Sequence, residues 1–135
     1  MTVQYGTTMR NALLDQWETT IGTGAKVYIR TGSPPANCAA ADTGTLLVEF
    51  DLGSDWAANA GSGAKTLNSL PVSATAVAGG TAGHYRIKDS AGTTCHEQGT
   101  VTATGGGGDA TIDNTSITSG QSVQITGWTK TAPGA

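Results

Sequence analysis

A mainly β domain, an antiparallel β-sandwich or jelly-roll-like fold with one N-terminal α-helix, is the architecture this sequence predicts. Three observations carry it. In Leu46-Leu47-Val48-Glu49-Phe50-Asp51-Leu52, the residues Leu46, Val48, Phe50 and Leu52 share one parity while Glu49 and Asp51 take the other, the pattern of a strand with one buried and one wet face. Two-residue periods recur in Lys26–Arg30 and Gly83–Asp89. Twenty glycines punctuate the rest, and one stretch alone has convincing helical spacing.

That stretch runs from about Thr8 to Ile21. Met9, Leu13, Trp17 and Ile21 step by four, Ala12 and Leu14 widen the stripe, Thr7 or Thr8 can cap it, and Gly22 and Gly24 stop it. The stripe is expected to pack on the domain's own sheet, with a partner surface as the other reading. Lys26-Val27-Tyr28-Ile29-Arg30 alternates as a strand and ends at Gly32-Ser33-Pro34-Pro35, which cannot continue a central ladder. A small-residue loop, 36–45, leads to the strand at 46–52 and the turn Gly53-Ser54-Asp55-Trp56.

From Ala57 to Gly83 nearly every residue is small, so long loops with weak strands near 65–67 and 75–78 are expected. The clearest hairpin follows. Tyr85 and Ile87 point one way and His84, Arg86 and Lys88 the other, Asp89 to Gly92 supplies the turn, and the returning strand from Thr93 to Thr102 has a bulge candidate at Gly99. Gly105 to Gly108 reads as a flexible tip, Asp109–Asp113 as a strand continuing through Asn114–Ile117, and Gln121–Thr131 as the last strand. There Val123 and Ile125 share a face, and Trp128 joins them only through a bulge at Gly127.

At 135 residues the chain fits one domain over 1–135, with an N-terminal segment and helix at 1–22 and a β core at 25–131. Seven Lys and Arg against ten Asp and Glu, with 13% of residues charged, argue against a phosphate-backbone binder. No nucleic-acid or membrane partner is expected: no stretch approaches the ~20 apolar residues of a bilayer span. Met1 to Tyr5 shows no secretory pattern, so synthesis in a cytoplasm is expected. The few aromatics and many glycines make a modest core, which favours a component of a homo-oligomeric assembly over a solitary monomer.

Candidate chemistry is sparse. Cys38 and Cys95 are free thiols in the ordinary reading of a reducing compartment, and one long-range disulfide if the protein reaches an oxidising one. Cys95-His96-Glu97, with His84 across the hairpin, has metal-ligand and Cys-His chemistry, but strict strand alternation would put Cys95 and Glu97 on one side and His96 on the other. Gly105–Gly108 lacks the Lys and helix of a phosphate loop. The aspartates are scattered among turns, and Asn114-Thr115-Ser116 matches a glycosylation sequon that is accidental without a secretory signal. The expectation is therefore no enzyme, no catalytic residue, no metal and no cofactor.

Arg10-Asn11-Ala12-Leu13-Leu14-Asp15, Thr31-Gly32-Ser33-Pro34-Pro35-Ala36-Asn37-Cys38, the run from Tyr85 to His96, Gln98-Gly99-Thr100-Val101 and Asp113-Asn114-Thr115-Ser116-Ile117 carry a likeness. Together they resemble small proteins of tailed bacteriophages and prophages. The resemblance implies a virion structural protein, a capsid decoration or cement protein on the capsid surface that contacts the major capsid protein and its own copies, often as a trimer. A tail or fibre component for host-surface adhesion is the alternative. No site residue comes with the resemblance; Tyr5, Trp56 and Trp128 are the aromatic contact candidates, each with core packing as the competing reading.

Overall fold

The computed structural model describes residues 3–68 and 70–132. Met1 and Thr2, counted above in the N-terminal segment, lie outside them. The helix α1 spans Thr7–Ile21 and is followed by strands β1 (Lys26–Thr31), β2 (Leu46–Asp51), β3 (Ala64–Thr66), β4 (Val72–Thr75), β5 (Gly80–Lys88), β6 (Cys95–Ala103), β7 (Ala110–Ile112), β8 (Ser116–Ile117), β9 (Ser122–Gly127) and β10 (Thr129–Thr131).

The main sheet has the order β2-β1-β5-β6-β7-β9-β4, with β8 paired to β5, and β10 pairs β3 in a separate ribbon. Its two outer strands come round to meet: the Val77 N–H just past β4 donates to the Leu47 carbonyl of β2 at 2.8 Å. The fold is thus mainly β with one N-terminal helix, as expected, but its main sheet is a nearly closed, barrel-like one rather than a two-sheet sandwich. The sheet is also mixed, because β6 and β7 run parallel.

That parallel pair explains the glycine run. Parallel neighbours ordinarily need a crossover of about a dozen residues. Here the chain doubles back within 104–109 instead, with Gly105 and Gly107 at φ +85° and +81° and with Gly106 and Gly108 so close to Thr102 that a Cβ on either would stand 2.8 Å from its hydroxyl. The Gly106 N–H donates to the Ala103 carbonyl and the Gly108 N–H to the Thr102 hydroxyl. The run is a tightly bonded reversal that sets strand direction, not the flexible tip expected.

Helix α1 begins at Thr7, one residue earlier than expected, behind Gly6 with no side-chain cap, and stops before Gly22, whose N–H reaches the Glu18 carbonyl. Its buried side is not the predicted stripe. Leu14, Trp17 and Ile21 face the body, whereas Met9 and Leu13 face solvent. Polar anchors rotate the helix: Arg10 donates to the Ala132 carbonyl, Asn11 accepts the Gly63 N–H, and Asp15 accepts the Ala60 N–H and the Lys65 ammonium. Lys65 is buried between Asp15 and Glu18, 2.8 Å from each, and the helix is therefore positioned by ion pairs as much as by its apolar side chains.

Four one-residue irregularities decide which side chains reach the interior; one leaves Gly83 as the extra residue between β1 and β5, since Arg30 opposes His84 but Thr31 opposes Ala82. Between β1 and β2, Ile29 opposes Val48 but Arg30 opposes Leu46, so Leu47 is the extra residue and is buried although its parity is wrong. Between β7 and β9, Thr111 opposes Gly127 but Ile112 opposes Ile125. The bulge is therefore at Thr126, one residue before the predicted Gly127, and it brings Trp128 inside with Val123 and Ile125. Between β5 and β6, Ile87 opposes Glu97 but Lys88 opposes Cys95, which makes His96 the extra residue, not Gly99. Gly99 is required for a different reason, close approach, since a Cβ there would stand 2.8 Å from both the Tyr85 ring and the Asp109 carboxylate.

The Ala57–Gly83 region carries more structure than expected, holding β3, β4 and the first residues of β5, and the predicted strand at 75–78 lies earlier, at 72–75. The strand expected through Asn114–Ile117 breaks at Asp113, whose carboxylate accepts the Asn114 and Gln124 N–H groups and redirects the chain into β8.

Candidate functional site

The outer face of β1 and β5 is the most elaborate polar region. Tyr28 stands opposite Arg86, Lys26 opposite Lys88 and Arg30 opposite His84, so four of the seven Lys and Arg of an acidic chain share one face. Alternation predicted this face to be wet. It is covered: His84 and Arg86 are 0% and 1% exposed, and Lys88 is buried too.

The cover is the segment 32–45, a strap laid across the strands. Arg86 donates to the Cys38 carbonyl at 2.8 Å and the Ala40 carbonyl at 3.1 Å, and pairs with the Asp42 carboxylate. Asp42 also receives Lys88 at 2.8 Å and Arg30 at 3.2 Å. Burial pushes the Asp42 carboxyl up, but the hydrogen bonds from Lys88 and Arg86 and the Arg30 charge outweigh it and hold the group below the usual carboxylate range. At the strap's entry the His84 Nδ1 hydrogen donates to the Gly32 carbonyl, and Gln98 donates to the Pro35 carbonyl.

A disulfide fastens the strap. Cys38 and Cys95 are joined, with Cα atoms 5.3 Å apart and a sequence separation of 57, so the free-thiol expectation is corrected. The His96 bulge makes this possible, because it turns Cys95 to the outer face while Glu97 points inward. Cys95 therefore has no thiol for metal or nucleophilic chemistry, and Glu97 and His84 lie on opposite faces of the hairpin. Among the described residues no three His, Cys, Asp or Glu side chains are gathered around one point.

Inside, Glu97 accepts the Tyr85 hydroxyl at 2.6 Å and pairs with Lys130 of β10. Lys130 lies 5.5–5.7 Å from the ring centres of Trp17, Tyr85 and Trp128. The rings pack edge to face, Trp17 against Trp56 at 5.1 Å and against Trp128 at 5.6 Å, and Tyr85 against Trp128 at 4.8 Å. Burial, then the Glu97 charge, pushes the Tyr85 hydroxyl far above its ordinary range. This cluster locks helix, sheet and β3–β10 ribbon together. Sequence reasoning missed it because its members come from five separate segments.

Trp56 and Trp128, named above as contact candidates, belong to this cluster at 4% and 2% exposure, with the Trp56 indole N–H donating to the Gly22 carbonyl. Tyr5 is different, at 42% exposed. Val3, Met9 and Leu13 accompany it at 68%, 53% and 46%, leaving Val77 as the one other large apolar side chain so exposed among the described residues. Thr8, Ala12, Gln16, Thr19 and Thr20 complete the solvent side of α1; Arg10 and Glu18 turn to the body, and Asp15, though paired with Lys65, keeps its carboxylate 48% exposed. Exposed apolar side chains on a face so poor in charge are the surface feature least suited to water alone.

The surface depressions are shallow. One of about 250 Å³ is bordered by Asp51, Asp55, Trp56 and Asn68, and one of about 260 Å³ by the strap, Arg86, Lys88 and Thr93. No helix among the described residues is long and apolar enough to cross a membrane. Comparison with protein-family models, with curated proteins and with solved structures gives no match.

Proposed function

We propose that this chain is a non-enzymatic structural protein of a tailed-phage virion, a decoration or cement protein that sits on the capsid surface and stabilises the mature head by bridging subunits of the major capsid protein. The observation that carries the reading is the exposure of Val3, Tyr5, Met9 and Leu13, four large apolar side chains on the helix and the segment before it, in a domain whose other described large apolar side chains, Val77 apart, are buried or half-buried. Such side chains bind by shape and area, not by charge steering. The chemistry elsewhere is spent on internal structure: cations on the strap and on the helix, the aromatic cluster on packing, the cysteines on one another. A particle protein that works outside the cell also gains from a disulfide that a reducing cytoplasm would not sustain.

A cement protein acts by mass action, binding the expanded lattice better than the precursor lattice. The domain contributes a rigid platform with its contact helix on one side. The test is the position of gold-labelled protein on purified virions by electron microscopy. Regular label over the head supports decoration, with fixed stoichiometry and a raised disruption temperature as corollaries. Label confined to the tail overturns it in favour of a tail or fibre protein.

A further inference from the structure

We infer that Cys38–Cys95 is a redox latch: oxidised, it holds the 32–45 strap closed over the cationic face of β1 and β5, and reduced, it lets the strap lift and present Arg30, Arg86 and Lys88 while the sheet beneath stays folded.

The first ground is that the strap has no apolar anchor. No residue between Gly32 and Thr45 is buried, so nothing hydrophobic returns it to the sheet once it leaves. Its attachments are polar contacts, to Arg86 above all and to Arg30, His84, Lys88 and Gln98, together with the disulfide.

The second ground is the underside. Among the described residues, six buried side-chain nitrogens or oxygens lack a hydrogen-bond partner, and four of them, Arg30 Nε, His84 Nε2, Arg86 Nε and Gln98 Oε1, belong to side chains beneath or beside this strap. An unpartnered buried polar atom opposes closure, and each regains water on opening. Three cations also share a single strap carboxylate, Asp42, so closure confines more positive charge than it neutralises. The covalent link is what tips this balance toward the closed state.

The sheet does not need the strap. The face of β1 and β5 opposite the strap carries Val27, Ile29, Tyr85 and Ile87, all packed inside the barrel, and the ladders from β2 to β6 are continuous without strap residues. Latching is a balanced exchange. The Cys95 thiolate attacks a low-molecular-weight disulfide such as oxidised glutathione, expelling one thiol; the Cys38 thiolate then attacks the Cys95 sulfur of the mixed disulfide, expelling the second. Two protein thiols lose two electrons and two protons, and the small disulfide becomes two thiols. The inference rests on the strap's geometry and is independent of the virion reading.

The test is hydrogen exchange with mass-spectrometric readout, together with elastase digestion, on the full chain after oxidised glutathione and after a phosphine reductant. Reduction should raise elastase cleavage after Ala39, Ala40 or Ala41 at least tenfold while peptides of β5 and β6 keep their protection. The paired variant Cys38→Ser with Cys95→Ser should behave as the reduced protein without reductant. Equal strap cleavage in all three samples would overturn the latch, as would loss of protection across the whole sheet on reduction, or two alkylatable thiols persisting after oxidised glutathione.

Discussion

Arg86 and Asp42, 44 residues apart in sequence, form an ion pair that converts the outer face of a strand into an interior. The arginine is buried, and its second terminal nitrogen donates to strap carbonyls. Replacing it with Met keeps the stem but takes one of three cations from Asp42 and leaves those carbonyls without their donor. Arg86→Met should therefore cost about 3 kcal/mol, the scale for breaking a buried pair from one side. Chemical denaturation of the oxidised protein checks this, and a loss below about 1 kcal/mol would mean that the strap does not depend on Arg86.

Acid should unfold the protein through a small set of carboxylates. Asp15, lowered first by the Lys65 hydrogen bond, Asp109, lowered first by the Thr100 N–H, and Asp42 all ionise more readily in the folded chain than in the unfolded one. A depressed folded pKa contributes stability that is fully present above the unfolded value near ~4 and is lost as pH falls through the folded value. Stability from these groups should be flat above about pH 5 and should fall steeply below about pH 4. In Asp42→Asn the acid limb should be shallower, as measured by urea midpoints from pH 2 to 7.

Trp128 touches Trp17, Tyr85 and Lys130, so it joins helix, main sheet and ribbon. Trp128→Ala should cost about 3–5 kcal/mol, the range for emptying a large core aromatic site. Near-UV circular dichroism should lose the aromatic signal while far-UV strand content persists. Trp128→Phe should be milder.

At Gly83 an added Cβ would run into the Gly32 backbone where the strap leaves β1. Backbone cannot swing aside as a side-chain end can. Gly83→Ala should destabilise by about 1–3 kcal/mol, as overpacking does. Gly53→Ala, with open space at its Cβ, is the matched control, and similar melting temperatures for the two variants would contradict the close approach.

Met9 and Leu13 separate binding from folding. Both are exposed, so changing them to Gln should leave stability within about 0.5 kcal/mol of the parent. Loss of binding to expanded shells in sedimentation assays, with an unchanged melt, is the outcome expected of a contact face. Full binding by the double variant would assign the capsid contact elsewhere.

Much of the fold was legible where one face is wet and the other dry. Val27, Ile29, Tyr85 and Ile87 are inside as their parity demands. What alternation cannot register is a second layer: His84, Arg86 and Lys88 look like surface residues because the strap that buries them is polar and its contacts lie 46–52 positions earlier. Nor does it register single-residue slips. Leu47, His96 and Thr126 each change the parity of the residues after them, and no glycine or proline at the position itself marks them. The helix misled for a related reason: its stripe Met9-Leu13-Trp17-Ile21 is apolar, but Arg10, Asn11 and Asp15 find partners on the body and fix its rotation.

The extra residue at His96 makes β6 a strand with two addresses. Were residue 96 paired in a regular ladder instead of bulged, residues 95 and 97 would face the same way, and a sulfur and a carboxylate would compete for the same side of the sheet. With the bulge, Glu97 serves the aromatic interior and Cys95 the strap. Deleting that single histidine would leave Cys95 and Glu97 adjacent, still opposite Lys88 and Ile87 and still on opposite faces, whereas a slip of pairing that keeps the histidine but loses the bulge would cost either the strap its fastening or Tyr85 and Lys130 their shared anion. The outside closure and the inside network are thus tied to one pairing register between β5 and β6.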